Sequence, residues 1–91
     1  MEDALSTVKH PSRIPGLEIH IIDDLIIGYQ VDTGQIHYMN PTAALILELC
    51  DGQRSRDEIA QLVQEAYGLP DAPLTEVDQC LATFTSLGIV L

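Results

Sequence analysis

Basic residues are scarce in this sequence. Four Lys and Arg oppose fourteen Asp and Glu, which gives a formal net charge of −10. Proteins that bind nucleic acid need Lys and Arg clustered on one face to neutralise phosphates, and binding to an anionic membrane surface makes the same demand. The composition therefore argues against nucleic acid and membranes as partners. It allows a basic or apolar partner, and the acidity can equally well serve solubility alone.

Long apolar runs are also missing. The longest, from Ala43 to Leu47, is far shorter than the ~20 residues of a membrane span. The acidic start of the chain lacks the apolar segment of a signal peptide. Two cysteines, Cys50 and Cys80, are too few for a disulfide scaffold and lie in apolar helical patterns that are typical of buried thiols. We therefore expect a cytoplasmic protein, and its 91 residues leave room for one domain.

Patterns that carry catalysis or metal binding are absent. The histidines and cysteines form no CxxC, HxxxH or HxH pair, and we expect His20 and His37 to lie on the solvent side of a sheet. There is no glycine elbow, no glycine-rich phosphate loop, and no Asp-Ser-Leu motif of the kind found in acyl carrier proteins. A Cys50–His37 pair is the one nucleophilic alternative, although Cys50 lies on the apolar side of a helix, where thiols are usually inert. We expect no enzyme, no metal and no cofactor.

Alternating hydrophobicity predicts three strands in the first half of the chain. Three segments alternate between apolar and polar positions: 17–21, 25–31 and 35–39. Asp23-Asp24 and residues 32–34 suit the tight turns between them, so the strands are expected to form an antiparallel meander. Residues 1–16 carry no periodicity and are predicted to be a flexible tail that precedes a domain over residues 17–91.

Helical spacing and capping signals predict three helices in the second half. They are expected from Pro41 to about Cys50, from the Ser55–Glu58 capping box to Gly68, and from Pro73 or Thr75 to Gly88. Residues 89–91 form a short apolar end that should dock on the core. Because the strands are grouped before the helices, the sequence indicates an α+β fold. The expected arrangement is winged-helix-like, with a three-stranded antiparallel β-meander followed by a three-helix bundle.

The third strand, residues 35–39, is last in the meander and becomes an edge if the strands follow chain order. The unpaired N–H and C=O groups of an edge can accept an added strand from a peptide. Spacing alone leaves two interpretations open. The edge is either protected by its shortness or by a covering helix, or it binds a peptide.

The run from Gln35 to Gly52 resembles the signature of PqqD-like proteins, which consists of a strand, then Asn and a small-residue helix start, then a Cys-Asp-Gly helix end. Further matching residues are Arg54, Ser55, Glu58, Ile59, Ala60, Leu62, Tyr67, Gly68, Val77, Leu81, Leu87, Gly88 and Ile89. The resemblance covers roughly residues 17–91. Asn40-Pro41-Thr42-Ala43 looks more like the broader group of relatives than like members that act in the pyrroloquinoline quinone pathway, so that pathway is not favoured.

The resemblance implies a function in the biosynthesis of ribosomally synthesised and post-translationally modified peptides (RiPPs). Such a RiPP recognition element (RRE) is a non-catalytic chaperone that binds the leader segment of a precursor peptide and presents the peptide to a modifying enzyme, often a radical SAM enzyme. In the family the leader lies as an extra antiparallel strand against strand three, in a groove closed by helix three. The corresponding strand residues here are Gln35, Ile36, His37, Tyr38 and Met39. The corresponding helix-wall residues are Val77, Cys80, Leu81 and Phe84, each of which has the alternative role of a core residue.

Two other functions stay open at this point. A winged-helix transcriptional regulator would read DNA with helix three, but Thr75 to Ser86 contains Glu76 and Asp78 and no Lys or Arg. A structural homodimer would instead pair two strand-three edges across a twofold axis. The sequence does not decide between a monomer and a homodimer.

Overall fold

A computed structural model describes residues 10–91 as a three-stranded sheet followed by three helices. The elements are β1 (Leu17–Ile22), β2 (Leu25–Gln30), β3 (Ile36–Met39), α1 (Pro41–Leu49), α2 (Arg56–Tyr67) and α3 (Leu74–Ser86). The predicted α+β architecture, with a meander before a helical bundle, is confirmed. The first nine residues of the predicted tail lie outside the described part of the chain.

The sheet is antiparallel, with the strands in the order β1-β2-β3. Ile22 pairs with Leu25 across a two-residue turn formed by Asp23 and Asp24. Asp23 has a φ of 54°, in the left-handed region that Asp tolerates better than most side chains. Both predicted turns therefore join neighbouring antiparallel strands, and β3 lies at one edge of the sheet.

The two faces of the sheet have different surroundings. Side chains of cross-strand partners share a face, so Gly28 and His37 lie together on the inner face, toward the helices. His20 and Tyr38 share the outer face, because both pair with Ile27 of β2. The expectation that His20 and His37 both face solvent is wrong for His37, which is half-buried with its Nε2 atom 2.6 Å from Oε1 of Gln30.

The helices begin and end at the predicted signals. Asn40 caps α1, since its Oδ1 accepts a hydrogen bond from the N–H of Ala43 at 2.8 Å. At α2 the Ser55 hydroxyl accepts from the N–H of Glu58 at 3.2 Å, and the Glu58 carboxylate accepts from the N–H of Ser55 at 2.8 Å, which completes the capping box. Gly68 ends α2 with a φ of 64°. Local signals therefore define both ends of α2.

Removing the capping hydroxyl is expected to lower the stability of the domain. Ser55→Ala leaves the N–H of Glu58 without its side-chain acceptor, which should lower the free energy of unfolding by about 1 kcal/mol. Urea denaturation followed by circular dichroism measures this change. Ser86→Ala, an exposed position at the end of α3, is the control. Equal stabilities of the two variants would contradict the capping role.

The core lies between the three helices and the inner face of the sheet. Its fully buried side chains include Ile46, Leu47, Ile59, Val63, Val77 and Ile89. Leu17 and Met39 pack against this cluster from the sheet side. The predicted docking of the apolar C-terminal end is confirmed for Ile89 and Val90, whereas Leu91 is exposed. All three helices therefore contribute to one core beneath the sheet.

A short segment ahead of β1 is tied to the helical half. The N–H of Arg13 donates to the carbonyl of Cys50 at 2.8 Å, and the N–H of Ile14 donates to the carbonyl of Ile89 at 3.1 Å. The N–H of Leu91 in turn donates to the carbonyl of Ser12 at 2.8 Å. These bonds attach residues 12–14 to the folded domain. Backbone bridges of this kind leave no side-chain periodicity in a sequence.

Candidate functional site

The outer edge of β3 offers unpaired backbone groups. Within residues 10–91, β2 is the only strand that pairs with β3. Hydrogen-bonded pairs alternate along an antiparallel ladder, and the bond from the N–H of Gln30 to the carbonyl of Gln35 fixes which pairs these are. The N–H and C=O groups of Ile36 and Tyr38 consequently point away from β2. The open edge thus presents two donors and two acceptors to an incoming strand.

A groove of about 510 Å³ lies between β3 and α3. Its apolar lining residues are Met39, Ala43, Cys80, Phe84, Leu87 and Ile89. Polar side chains that also line it are Asn40, Thr42, Glu76, Gln79 and Thr83. None of the described residues around this groove is a lysine or an arginine. The groove therefore combines apolar surface with a rim that carries one carboxylate.

Five of the nine residues suggested by the sequence line this groove: His37, Tyr38, Met39, Cys80 and Phe84. Ile36 is half-exposed on the outer face of the sheet, and Gln35 lies just before β3. Val77 is fully buried and Leu81 packs against the core, so the structure places these two residues behind the groove wall. The structure thus brings three of the suggested strand residues and two of the suggested helix residues together at the groove.

The sequence reasoning missed several groove residues at the ends of helices. Leu87 was visible as the last apolar position of the α3 stripe, and Ile89 as part of the apolar C-terminal end. Thr42 and Ala43 gave no signal, because their position depends on the way the first turn of α1 follows β3. Such neighbours become apparent only when the helix directions are known.

Both cysteines are free thiols. Cys50 is fully buried, and this burial raises the pKa of its thiol to about 11. Its Sγ donates to the carbonyl of Ile46 at 3.2 Å. Burial also raises the pKa of Cys80. Because His37 is bonded to Gln30 and Cys50 to Ile46, the alternative Cys50–His37 nucleophile is not formed in the described structure.

The buried thiol of Cys50 predicts a loss of stability at alkaline pH. Its pKa is higher in the folded state than the ordinary value of 9.0, so the neutral thiol stabilises the fold below pH 9. This contribution is lost as the pH rises from 9 toward 11. Between pH 8 and pH 10.5 the free energy of unfolding should fall by about 2 kcal/mol more in the wild type than in Cys50→Ala. Urea denaturation at both pH values measures the free energy of unfolding. An equal decrease in the wild type and in Cys50→Ala would contradict the prediction.

Two further features concern the part of the chain that the structure describes. Its His, Cys, Asp and Glu side chains form no group of three that could hold a metal ion. None of its helices combines the length and the apolar character needed to cross a membrane.

The fold and the sequence both have counterparts among known proteins. A solved structure described as lasso peptide synthetase B1 complexed with the leader peptide matches with a TM-score of 0.68 and 22% sequence identity, covering 90% of this chain and 98% of that chain. At this identity the match shows a shared fold. No curated protein sequence gives a significant match. The family described as coenzyme PQQ synthesis protein D (PqqD) matches residues 26–90, which is well over half of the chain. This chain therefore belongs to the PqqD family.

Proposed function

We propose that this protein is a RiPP recognition element that binds the leader segment of a precursor peptide by β-strand addition and presents it to a modifying enzyme. The observation that carries the proposal is the open edge of β3 beside an apolar groove. Membership in the PqqD family supports it, as does the fold shared with lasso peptide synthetase B1, which was solved complexed with the leader peptide. This role requires no catalytic group from the chain itself.

In the proposed complex the leader lies antiparallel to β3. Its backbone exchanges hydrogen bonds with Ile36 and Tyr38, whose N–H and C=O groups face the open edge. Leader side chains opposite His37 and Met39 then point to the inner face, over the groove that Phe84 helps to form. We therefore expect two apolar leader residues at positions i and i+2.

The expected affinity follows from these contacts. Each backbone hydrogen bond contributes ~0.5–1.5 kcal/mol net, and each fully buried apolar side chain contributes ~1.5–3 kcal/mol. Ordering a flexible peptide offsets part of this gain, so dissociation constants in the micromolar range are expected. Glu76 on the rim favours Lys or Arg beside the apolar anchors of the leader.

The finer features of this role are part of the same proposal. The modifying enzyme is proposed to be a radical SAM enzyme. The free thiols of Cys50 and Cys80 fit a cytoplasmic location, where thiols stay reduced. A homodimer paired through β3 would occupy the edge that the leader needs, so such a dimer would have to dissociate before the leader binds. A DNA-binding role is not supported, since α3 carries Glu76 and Asp78 and no basic residue.

An NMR titration tests the proposal. Isotope-labelled protein is titrated with a synthetic leader peptide encoded by a short reading frame next to its gene, and a scrambled peptide of the same composition is the control. We expect amide shifts concentrated at Ile36 to Met39 and at Cys80 and Phe84. A folded protein that shows no shifts with any such neighbouring peptide, or shifts confined to β1, would overturn the proposal.

A further inference from the structure

The outer face of the sheet is mostly apolar and largely exposed, with Glu18 and His20 as its polar side chains on β1. The strand pairing places six apolar or aromatic side chains on it: Ile22, Leu25, Ile27, Tyr29, Ile36 and Tyr38. We call this set the outer patch. The exposed fractions of four members are 55% for Ile22, 54% for Leu25, 50% for Ile36 and 72% for Tyr38. An exposed, contiguous apolar patch on a small acidic domain is typical of a protein interaction site.

Within residues 10–91, every Asp, Glu, Lys or Arg of the sheet and its connections is acidic. Residues 17–40 contain no Lys or Arg and four acids, which are Glu18, Asp23, Asp24 and Asp32. The three arginines in the described part of the chain contact groups outside the sheet: Arg13 the carbonyl of Glu48, Arg54 the carboxylate of Asp51, and Arg56 the carboxylate of Asp78. The partner surface that best complements the outer patch therefore has an apolar centre with basic residues around it.

A second copy of the chain matches this surface poorly. Face-to-face packing of two outer patches would bring together two chains that each carry a net charge of −10, with the acids of both sheets close to the contact. A different protein with a basic rim avoids this repulsion. Charge complementarity thus favours a heterologous partner.

The outer patch is also continuous with the edge at which the leader is proposed to add. A strand paired with β3 places its side chains opposite Ile36 and Tyr38 on this same outer face. A protein that covers the outer patch would therefore contact the leader and this chain together. That arrangement makes its affinity depend on whether the leader is bound.

We infer that the outer patch is the docking surface for the modifying enzyme, and that the enzyme binds there through an apolar surface with a basic rim. The inference rests on the proposed function, because it assigns the partner of the same peptide-binding edge. The enzyme should bind the leader-loaded protein more tightly than the free protein. By reciprocity, the enzyme should tighten leader binding by the same factor.

The test uses a double variant of the outer patch, Ile22→Thr with Leu25→Thr. These two residues pair with each other at the β1–β2 turn, away from β3, and threonine suits a strand. The control is Leu74→Thr with Leu91→Thr, which removes two exposed leucines outside the sheet. The probe is the modifying enzyme encoded beside the gene, and its affinity is measured by biolayer interferometry with and without the leader.

We expect the patch variant to bind the enzyme at least about tenfold more weakly than the wild type, and the control within about twofold. The patch variant and the control variant should bind the leader with equal affinity. Equal enzyme affinity of the patch variant and the control would overturn the inference, even where the leader binds normally. A wild-type dimer that becomes monomeric in the patch variant, with enzyme binding unchanged, would assign the outer patch to a second copy instead. Failure of the wild type to bind the leader would refute the proposed function itself.

Discussion

Tyr38→Pro is expected to weaken leader binding at least about tenfold while the domain stays folded. Proline lacks the N–H that Tyr38 presents at the open edge, so the leader loses a hydrogen bond and meets the proline ring in its path. Because the backbone of Tyr38 faces away from β2, the ladder between β2 and β3 loses no bond. Isothermal titration calorimetry with the leader peptide measures the affinity, and circular dichroism checks the fold.

Ile21→Pro is the matched control for this variant. Ile21 lies on β1, the opposite edge strand of the same sheet, and its backbone N–H likewise points away from β2, because Ile22 and Leu25 form the hydrogen-bonded pair at the turn. Its exposed fraction of 72% equals that of Tyr38. Leader affinity of Ile21→Pro should stay within about twofold of the wild type. Tyr38→Thr separates the side chain from the backbone, because threonine keeps the N–H group. If Tyr38→Thr weakened binding as strongly as Tyr38→Pro, the tyrosine side chain would be the determinant and strand addition would be contradicted.

Local signals in the sequence are sufficient to predict where the strands and helices lie. The capping box of Ser55 and Glu58 and the left-handed Gly68 mark the ends of α2, because each satisfies backbone groups through its immediate neighbours. The strands were equally visible from their alternation. These features depend on contacts a few residues apart, so the sequence alone is enough to recognise them.

The inner face of the sheet could not be identified in the same way. Along β2 the alternate residues Leu25, Ile27 and Tyr29 are the more apolar set, yet they lie on the outer face, and Gly28 faces the helices. A Cβ atom at Gly28 would lie 2.9 Å from Cε of Met39, so the glycine leaves space for that side chain on the inner face. Alternation reveals a strand, whereas the buried side is decided by what packs against it.

The candidate groove was predictable only as far as helical spacing allows. Val77, Cys80, Leu81 and Phe84 form one apolar stripe on α3, but such a stripe is broad enough to touch two neighbours at once. In the structure Val77 and Leu81 pack on the core, whereas Cys80 and Phe84 contact the core and also line the groove. The position of α3 relative to β3 decides which of these residues reach the groove. That position depends on contacts between residues far apart in the sequence.

Phe84→Ala is expected to produce the largest loss of stability among the groove residues. The side chain is 4% exposed and belongs to the core cluster as well as to the groove wall. Replacing a buried phenylalanine by alanine costs about 3–5 kcal/mol through lost burial and the resulting cavity. A domain of this size has a total stability of about 5–14 kcal/mol, so the variant approaches unfolding. The sequence contains no tryptophan, so urea denaturation is best followed by circular dichroism.

The neighbouring Thr83→Ala is the control, since Thr83 is exposed and lines the same groove. Its free energy of unfolding should change by no more than about 0.5 kcal/mol. Phe84→Leu keeps an apolar side chain in the core and should remain folded, which makes its leader affinity measurable. A Phe84→Ala variant as stable as Thr83→Ala would show that the ring serves the groove alone. A folded Phe84→Leu variant with unchanged leader affinity would show the opposite, because the ring would then belong to the core and the leader would contact other residues of α3.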